Sequence, residues 1–313
     1  MPPTVTLSRP LPLPPIMARG SAVEFLPVNS TAEIPIGAAV HVTTSLDQLD
    51  AAAIAAMPDS IGLIANIGVG TDNIDQNAAQ ARGILVSNTP VVTEDTADLA
   101  FALILAACRR VGEGERFLRA GQWSAAGVAP PLGGRVHGKT LGLVGFGAIA
   151  QAVARRARGF DMPLRYWNRT RRPEAETALG AIYDPDIESL FAHSDIVSVH
   201  TALSSDTRNL VGPSQLARAR AGAILINTAR GGIVDEDALI AALDDGGIAA
   251  AGLDVFLGEP GINPRLLSCE NVVLTPHIGS ATNECRTDMA IRLLANVTSF
   301  LERGMVQDLV RSP

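Results

Sequence analysis

The feature that most restricts this chain's fold is an alternation of short β-rich runs and helical stretches along nearly its whole length. Runs at Thr4–Ser8, Val40–Thr43, Ile61–Ile67 and Ile84–Ser87 alternate with helical stretches such as Leu46–Met57 and Asn73–Arg82. A second series begins at Thr140. Its strands read Leu141–Gly145, Leu164–Trp167, Ile196–His200, Ala223–Asn227, Ile248–Asp254 and Val272–Thr275, with helices such as Ile149–Arg158, Ile187–Ala192 and Glu236–Leu243 between them. Strands separated by crossover helices pair in parallel and carry helices on both faces, so the chain is expected to be a doubly wound α/β protein. Its 313 residues, 47% of them hydrophobic, suffice for about two such domains.

Several function classes are excluded at this level. The longest apolar run, Ala97 to Cys108, is interrupted by Asp98 and ends at Arg109-Arg110. A membrane-spanning helix needs about 20 apolar residues, so no membrane role is expected. Pro2, Pro3, Arg9 and Pro10 break any secretory h-region. A net charge of −7 argues against nucleic-acid partners. Cys108, Cys269 and Cys285 are widely spaced, as reduced thiols of a cytoplasmic protein would be, and no metal-ligand spacing is present. Lys139 is the only lysine and is expected in a turn, which argues against Schiff-base chemistry. The helix from about Thr93 to Arg110 is apolar on nearly every face, so cover by a second subunit is expected.

The strongest local signal is the run Leu141-Gly142-Leu143-Val144-Gly145-Phe146-Gly147-Ala148-Ile149-Ala150. It reads as a strand, then G-x-G-x-x-A, then a helix. Gly145 permits the tight turn, Gly147 lets the backbone approach a pyrophosphate, and Ala150 lets helix pack closely on strand. The pyrophosphate would sit on the free N–H groups of the helix N-terminus, bringing Phe146, Ala148 and Ile149 to the cofactor. About 20 residues on, an acid would mark NAD. Here the next strand ends in Asn168-Arg169-Thr170-Arg171-Arg172, which offers arginines to a 2′-phosphate and favours NADP, with NAD possible at lower preference. Gly133-Gly134-Arg135-Val136-His137-Gly138-Lys139-Thr140 matches a P-loop literally, but it runs into a strand where a P-loop opens a helix.

Three further strands end in reactive side chains. Asn227-Thr228-Ala229-Arg230-Gly231-Gly232 presents an arginine, Asp254-Val255-Phe256-Leu257-Gly258-Glu259 a carboxylate, and Thr275-Pro276-His277-Ile278-Gly279 a histidine. Singly, each could be a surface ion pair, a loop charge or a helix cap. All three beyond strand carboxyl ends suggest one cleft with an anion clamp, a proton donor and a carboxylate to tune it. His200 ends another strand and is a candidate for the cofactor. Ile67-Gly68-Val69-Gly70-Thr71-Asp72-Asn73 could be a simple turn or could hold a small carboxylate on exposed amides.

Together, in order, these segments resemble the D-2-hydroxyacid dehydrogenase family, and most of all its glyoxylate/hydroxypyruvate reductase branch. The likeness runs from about Gly62 to Thr298 and includes Asn88-Thr89-Pro90 and Pro276 to Thr282. It implies Arg230 as substrate clamp, His277 as acid/base and Glu259 as its partner. It places the backbone of Val69 and Gly70 at the substrate carboxylate, and Asp254 near the nicotinamide carboxamide. Thr201, Thr207, Thr228, Ala229 and Gly279 join His200 and the glycine turn among the expected cofactor contacts. The resemblance also implies two Rossmann-like domains with a cleft between them: a discontinuous substrate domain (1–93 plus 283–313) and a dinucleotide domain (94–282). A homodimer built on the long helix, and reversible hydride transfer between NADPH and a small 2-keto acid, complete the expectation. Where the family usually carries Cys-Pro after the cofactor-lining strand, this chain has His200-Thr201-Ala202-Leu203. Formate dehydrogenases of this fold usually have glutamine at the place of Glu259, and corepressor-like dinucleotide-binding regulators on the same fold are the alternative reading.

Overall fold

The computed structural model describes residues 2–123 and 127–310; the outermost residues of the expected substrate domain, 1 and 311–313, lie outside that set. The chain divides into two compact units, Met1–Val92 with Ala281–Pro313, and Thr93–Ser280.

In the first unit, β1 (Thr4–Leu7), β2 (Glu24–Pro27), β3 (Val40–Thr44), β4 (Leu63–Ile67) and β5 (Leu85–Ser87) form a parallel sheet ordered β2-β1-β3-β4-β5. One face buries Val5, Val40, Val42 and Leu63 under Leu293, Val297 and Leu301 of the final helix, Asn283–Arg303. The other buries Ile64 and Val86 under Ile54 and Ala79 of two short helices. The helix expected over Leu46–Met57 contracts to Ala51–Ala55. Asp47 is the reason: its carboxylate accepts from Ser8 Oγ (2.6 Å), Thr44 N (2.9 Å) and Thr44 Oγ1 (2.7 Å) and pairs with Arg9, which holds the chain in a turn until Asp50 can cap.

The second unit is a seven-stranded parallel sheet of β6 (Leu141–Val144), β7 (Leu164–Trp167), β8 (Ala181–Tyr183), β9 (Ile196–Val199), β10 (Ile224–Asn227), β11 (Ala250–Leu253) and β12 (Val272–Leu274). The order β8-β7-β6-β9-β10-β11-β12 is that of a dinucleotide-binding sheet, with its reversal between β6 and β9. Both units are therefore doubly wound, Rossmann-like α/β layers. Among the described residues, no helix is long and apolar enough to cross a membrane. The P-loop look-alike at Gly133–Thr140 runs straight into β6, with Gly133 pressed against the Cys108 carbonyl.

The helix Thr93–Cys108 is covered by its own unit. Ala97, Ala100, Leu103, Ile104 and Ala107 are buried in the cluster that includes Leu141, Ile226, Ala250 and the helix Ala148–Arg158. It can lie this close because β11 has Gly252, where an added Cβ would sit 3.0 Å from that of Leu103. Its exposed stripe is Glu94, Asp98 and Ala102, and the two acids pair with Arg155 and Arg156 at 2.6 Å. The burial argument for a covering partner subunit is thus met within one chain. Leu103→Ala should destabilise the protein by about 2–5 kcal/mol in denaturant unfolding. Glu94→Gln, on the stripe, should cost under about 1 kcal/mol. Equal losses for the two would contradict this placement.

Candidate active site

Strand register gathers the candidate residues. Trp167, Val144, Val199, Asn227, Leu253 and Leu274 are register partners across six strands. The residues that follow, Asn168, Gly145, His200, Thr228, Asp254 and Thr275, therefore line one carboxyl edge, where α/β sheets bind ligands.

The glycine turn fits a dinucleotide. Gly145 has φ +92°, and a Cβ there would meet the His200 carbonyl at 2.8 Å. Nothing lies within 4 Å of a Cβ at Gly147, which precedes the helix Ala148–Arg158 and is its N-cap. The turn thus leaves open backbone at a helix N-terminus, as a pyrophosphate requires. Phe146 is buried and stacks on Tyr166 at 4.0 Å, so it fixes the turn from inside the core. Thr201 Oγ1 and Thr228 Oγ1 are buried with no protein hydrogen-bond partner, which suits groups that await a polar ligand. The Thr207 hydroxyl, in contrast, is committed to its own loop, donating to the Ala202 carbonyl (2.7 Å) and accepting from Ser204 N (2.8 Å). Burial pushes His200 down to about 4, so its ring is neutral at physiological pH and shares a hydrogen bond with Ser198 Oγ (2.8 Å).

The arginines after β7 are not equivalent. Arg171 is held by Glu176 through two 2.8 Å hydrogen bonds and lies over the Tyr183 ring. Arg171, with the Tyr166 hydroxyl, draws Glu176 down to about 2, so this pair stays ionised. Arg169 and Asp206, both well exposed, approach only to 3.5 Å. Asn168 Nδ2 donates to the Thr170 carbonyl (2.7 Å), which tightens the loop that presents them.

The reactive group forms at the other end of the row. Asn227 braces the Arg230 turn, its Oδ1 accepting from Ala229 N (3.0 Å) and its Nδ2 donating to the Arg230 carbonyl (2.8 Å). The Arg230 guanidinium donates to the Ala229 carbonyl (2.8 Å). Gly231 lets that turn press on the next: a Cβ there would lie 2.0 Å from the Phe256 carbonyl carbon. Contact is possible only with glycine, and it carries the Arg230 turn up to the loop that bears Glu259. The Glu259 carboxylate accepts from Phe256 N (2.7 Å) and meets His277 Nδ1 at 2.5 Å. Burial opposes its charge, but His277, the Phe256 amide and Arg230 outweigh it and hold the carboxyl below its usual range. Arg230, Glu259 and His277 are therefore one electrostatic group.

Asp254 plays a part that the sequence did not disclose. It is 1% exposed, and both its oxygens are in use: Oδ1 accepts from Thr275 Oγ1 (2.6 Å) and Ile278 N (2.8 Å), Oδ2 from Gly279 N (2.8 Å). Its own carbonyl accepts from His277 N (2.9 Å). His277 itself has φ +53°, a left-handed conformation that costs a non-glycine residue on the order of 1 kcal/mol or more. In the first unit, Val69 is 41% exposed in the turn after β4, with Gly70 beside it.

Known proteins resemble this chain in sequence and in fold. Residues 101–279 match the family model "D-isomer specific 2-hydroxyacid dehydrogenase, NAD binding domain". A glyoxylate reductase of Thermococcus litoralis is 48% identical over 274 residues, 86% of this chain and 82% of that one. A crystal structure of a glyoxylate reductase from Paecilomyes thermophila superposes with TM-score 0.89 at 34% identity, covering 99% and 98% of the two chains. An NADPH-dependent glyoxylate/hydroxypyruvate reductase of Sinorhizobium meliloti, solved with NADP and malonate, gives TM-score 0.88 at 32% identity over 99% and 97%. Sequence and fold thus converge, and the chain belongs to the D-isomer specific 2-hydroxyacid dehydrogenase family of nicotinamide-dependent oxidoreductases.

Proposed function

We propose that the protein is an NADP-preferring 2-keto acid reductase of the glyoxylate/hydroxypyruvate type, with His277 as its acid/base. The contact that carries this reading is the 2.5 Å approach of His277 Nδ1 to Glu259 in a group that includes Arg230. The dinucleotide, when bound at the glycine turn, supplies or accepts a hydride at the substrate's C2. Arg230 grips the carboxylate and the carbonyl oxygen. The amides of Val69 and Gly70 are offered to the same carboxylate. Glu259 takes the Nδ1 proton side of His277, so Nε2 carries the proton to the carbonyl oxygen in reduction and removes it in oxidation. Asp254, in this reading, sets the loop that aims the ring. A homodimeric, cytoplasmic protein belongs to the same proposal and rests on the family likeness, not on the long helix.

Cofactor choice rests on the absence of an acid from Asn168 to Arg172 and on Arg169, which is engaged only loosely. A charge-assisted hydrogen bond to a 2′-phosphate is worth roughly tenfold or more in affinity. With glyoxylate or hydroxypyruvate, kcat/KM for NADPH should exceed that for NADH by at least about tenfold. Arg169→Ala should erode the ratio. Equal values, or a preference for NADH, refute the assignment.

The proton role makes a signed prediction. Glu259 is held below the usual carboxylate range, so the proton that the pH profile follows is the one the imidazole carries. Reduction needs the imidazolium, and its kcat/KM should fall as pH rises through that titration. Oxidation needs the neutral ring and should rise over the same window. Glu259→Gln should move both limbs toward lower pH, because an amide stabilises the cation less. His277→Ala should lose about 10²–10⁴-fold in turnover while NADPH binding survives. Near-full activity of His277→Ala, or unmoved pH profiles in Glu259→Gln, would defeat the mechanism.

A further inference from the structure

The turn after β4 is unusual in that its carbonyls are all occupied. The Gly68 carbonyl accepts from Thr89 N (3.1 Å), that of Val69 from Asn88 Nδ2 (2.8 Å), and that of Gly70 from Asn66 Nδ2 (2.8 Å). Gly68, at φ +122°, also donates its own amide to Thr89 Oγ1 (2.8 Å). A peptide's C=O and the following N–H lie in one plane and point opposite ways. Pinning the Gly68 and Val69 carbonyls therefore pins the N–H groups of Val69 and Gly70. Among the described residues, neither of those two amides donates to a protein group. Adjacent oriented amides of this kind form an anion-binding concavity.

The pins are held in turn. Asn66 is fully buried on β4, and its Oδ1 faces Asn73 Nδ2 (3.4 Å), which also donates to the Thr44 and Asp47 carbonyls (3.0 Å each). The Asn88 backbone donates to the Asp308 carbonyl (3.3 Å) and accepts from Asn296 Nδ2 (3.2 Å). Asn296, 1% exposed on the final helix, accepts from the amides of Gln307 (3.0 Å) and Asp308 (3.1 Å). A buried chain of amides thus links the final helix and the segment after it to the turn.

We propose that Asn66 and Asn88 are positioning residues for a two-donor nest at Val69 and Gly70 that takes the carboxylate of a 2-keto acid: Asn88, through the Val69 carbonyl, orients the Gly70 amide, and Asn66, through the Gly70 carbonyl, fixes the peptide on the other side of Gly70. The inference deepens the functional reading above and rests on it. It concerns side chains that would touch no substrate and act only through the backbone they hold.

The test is oxalate binding, measured by calorimetry on the NADPH-loaded protein, since oxalate offers the carboxylate of a 2-keto acid and cannot be reduced. Asn88→Ala, at a half-buried site, and Asn66→Asp, nearly isosteric but without the donor, should each weaken oxalate roughly five- to tenfold. KM for the keto acid should rise in parallel, with kcat, NADPH affinity and the pH profile held. A merely structural role would lower the melting temperature and leave oxalate affinity alone. Folded Asn88→Ala that binds oxalate within about twofold of the parent overturns the proposal, and decides alone if Asn66→Asp does not fold. A parent that binds no oxalate overturns it too. A parent that binds oxalate but reduces no keto acid, with Asn88→Ala weakened, sustains the nest and defeats the functional reading instead.

Discussion

The candidate site depends on one buried carboxylate. Asp254 gives up water entirely, which costs several kcal/mol for an ion unless hydrogen bonds replace the solvent. Burial pushes its carboxyl up, and the donations from Thr275, Ile278 and Gly279 pull it back. Those three donors all belong to the loop that carries His277. The anchor therefore does two things at once: it satisfies its own charge, and it holds His277 in a backbone conformation that the residue would not adopt unaided.

From that anchor, the remaining geometry follows by register. Parallel strands of nearly equal length end in one row, so the residue after each strand reaches the same edge. Gly145 and Gly231 then allow backbone to approach backbone where any side chain would intervene. At Gly145 the approach shapes an open turn for phosphate. At Gly231 it brings the Arg230 turn against the loop of Glu259, whose charge is favoured by both Arg230 and His277. The two glycines serve different ends, one for a ligand and one for the assembly of the reactive group.

Much of this was legible beforehand because parallel sheets write it in local signals. Strand, G-x-G-x-x-A and helix are consecutive residues, and Arg230, Glu259 and His277 each follow a recognisable strand. Long-range contacts left weaker marks. The edge strands Glu24–Pro27 and Ala181–Tyr183 are only four and three residues long and largely uncovered, too short to announce a strand by pattern. The Asp47 turn shortens a helix that periodicity had extended, since its partners Ser8 and Arg9 lie some 40 residues away in sequence. The helix Thr93–Cys108 reads as too apolar for one chain, but its cover comes from the helix Ala148–Arg158 and from three strands that appear more than 100 residues later. Asp254 is expected beside the cofactor, and the anchoring of the loop after the next strand by its oxygens is a contact across 21 to 25 residues that no local pattern announces. Asn66 carried no mark, and Asn88 was marked only by the family likeness, because an asparagine that pins a distant carbonyl looks like any other asparagine.

If Asp254 acts by holding the His277 loop, Asp254→Asn should reveal it. The amide can no longer accept from both Ile278 N and Gly279 N, so the ring should lose its aim while the glycine turn is untouched. The measurement is kcat for keto-acid reduction alongside the NADPH dissociation constant of the same variant. The expected result is a loss of about 10²-fold in kcat, as small misplacements of a reacting group produce, with NADPH affinity preserved. An unchanged kcat, or a loss of NADPH affinity in proportion to the loss of turnover, would contradict it.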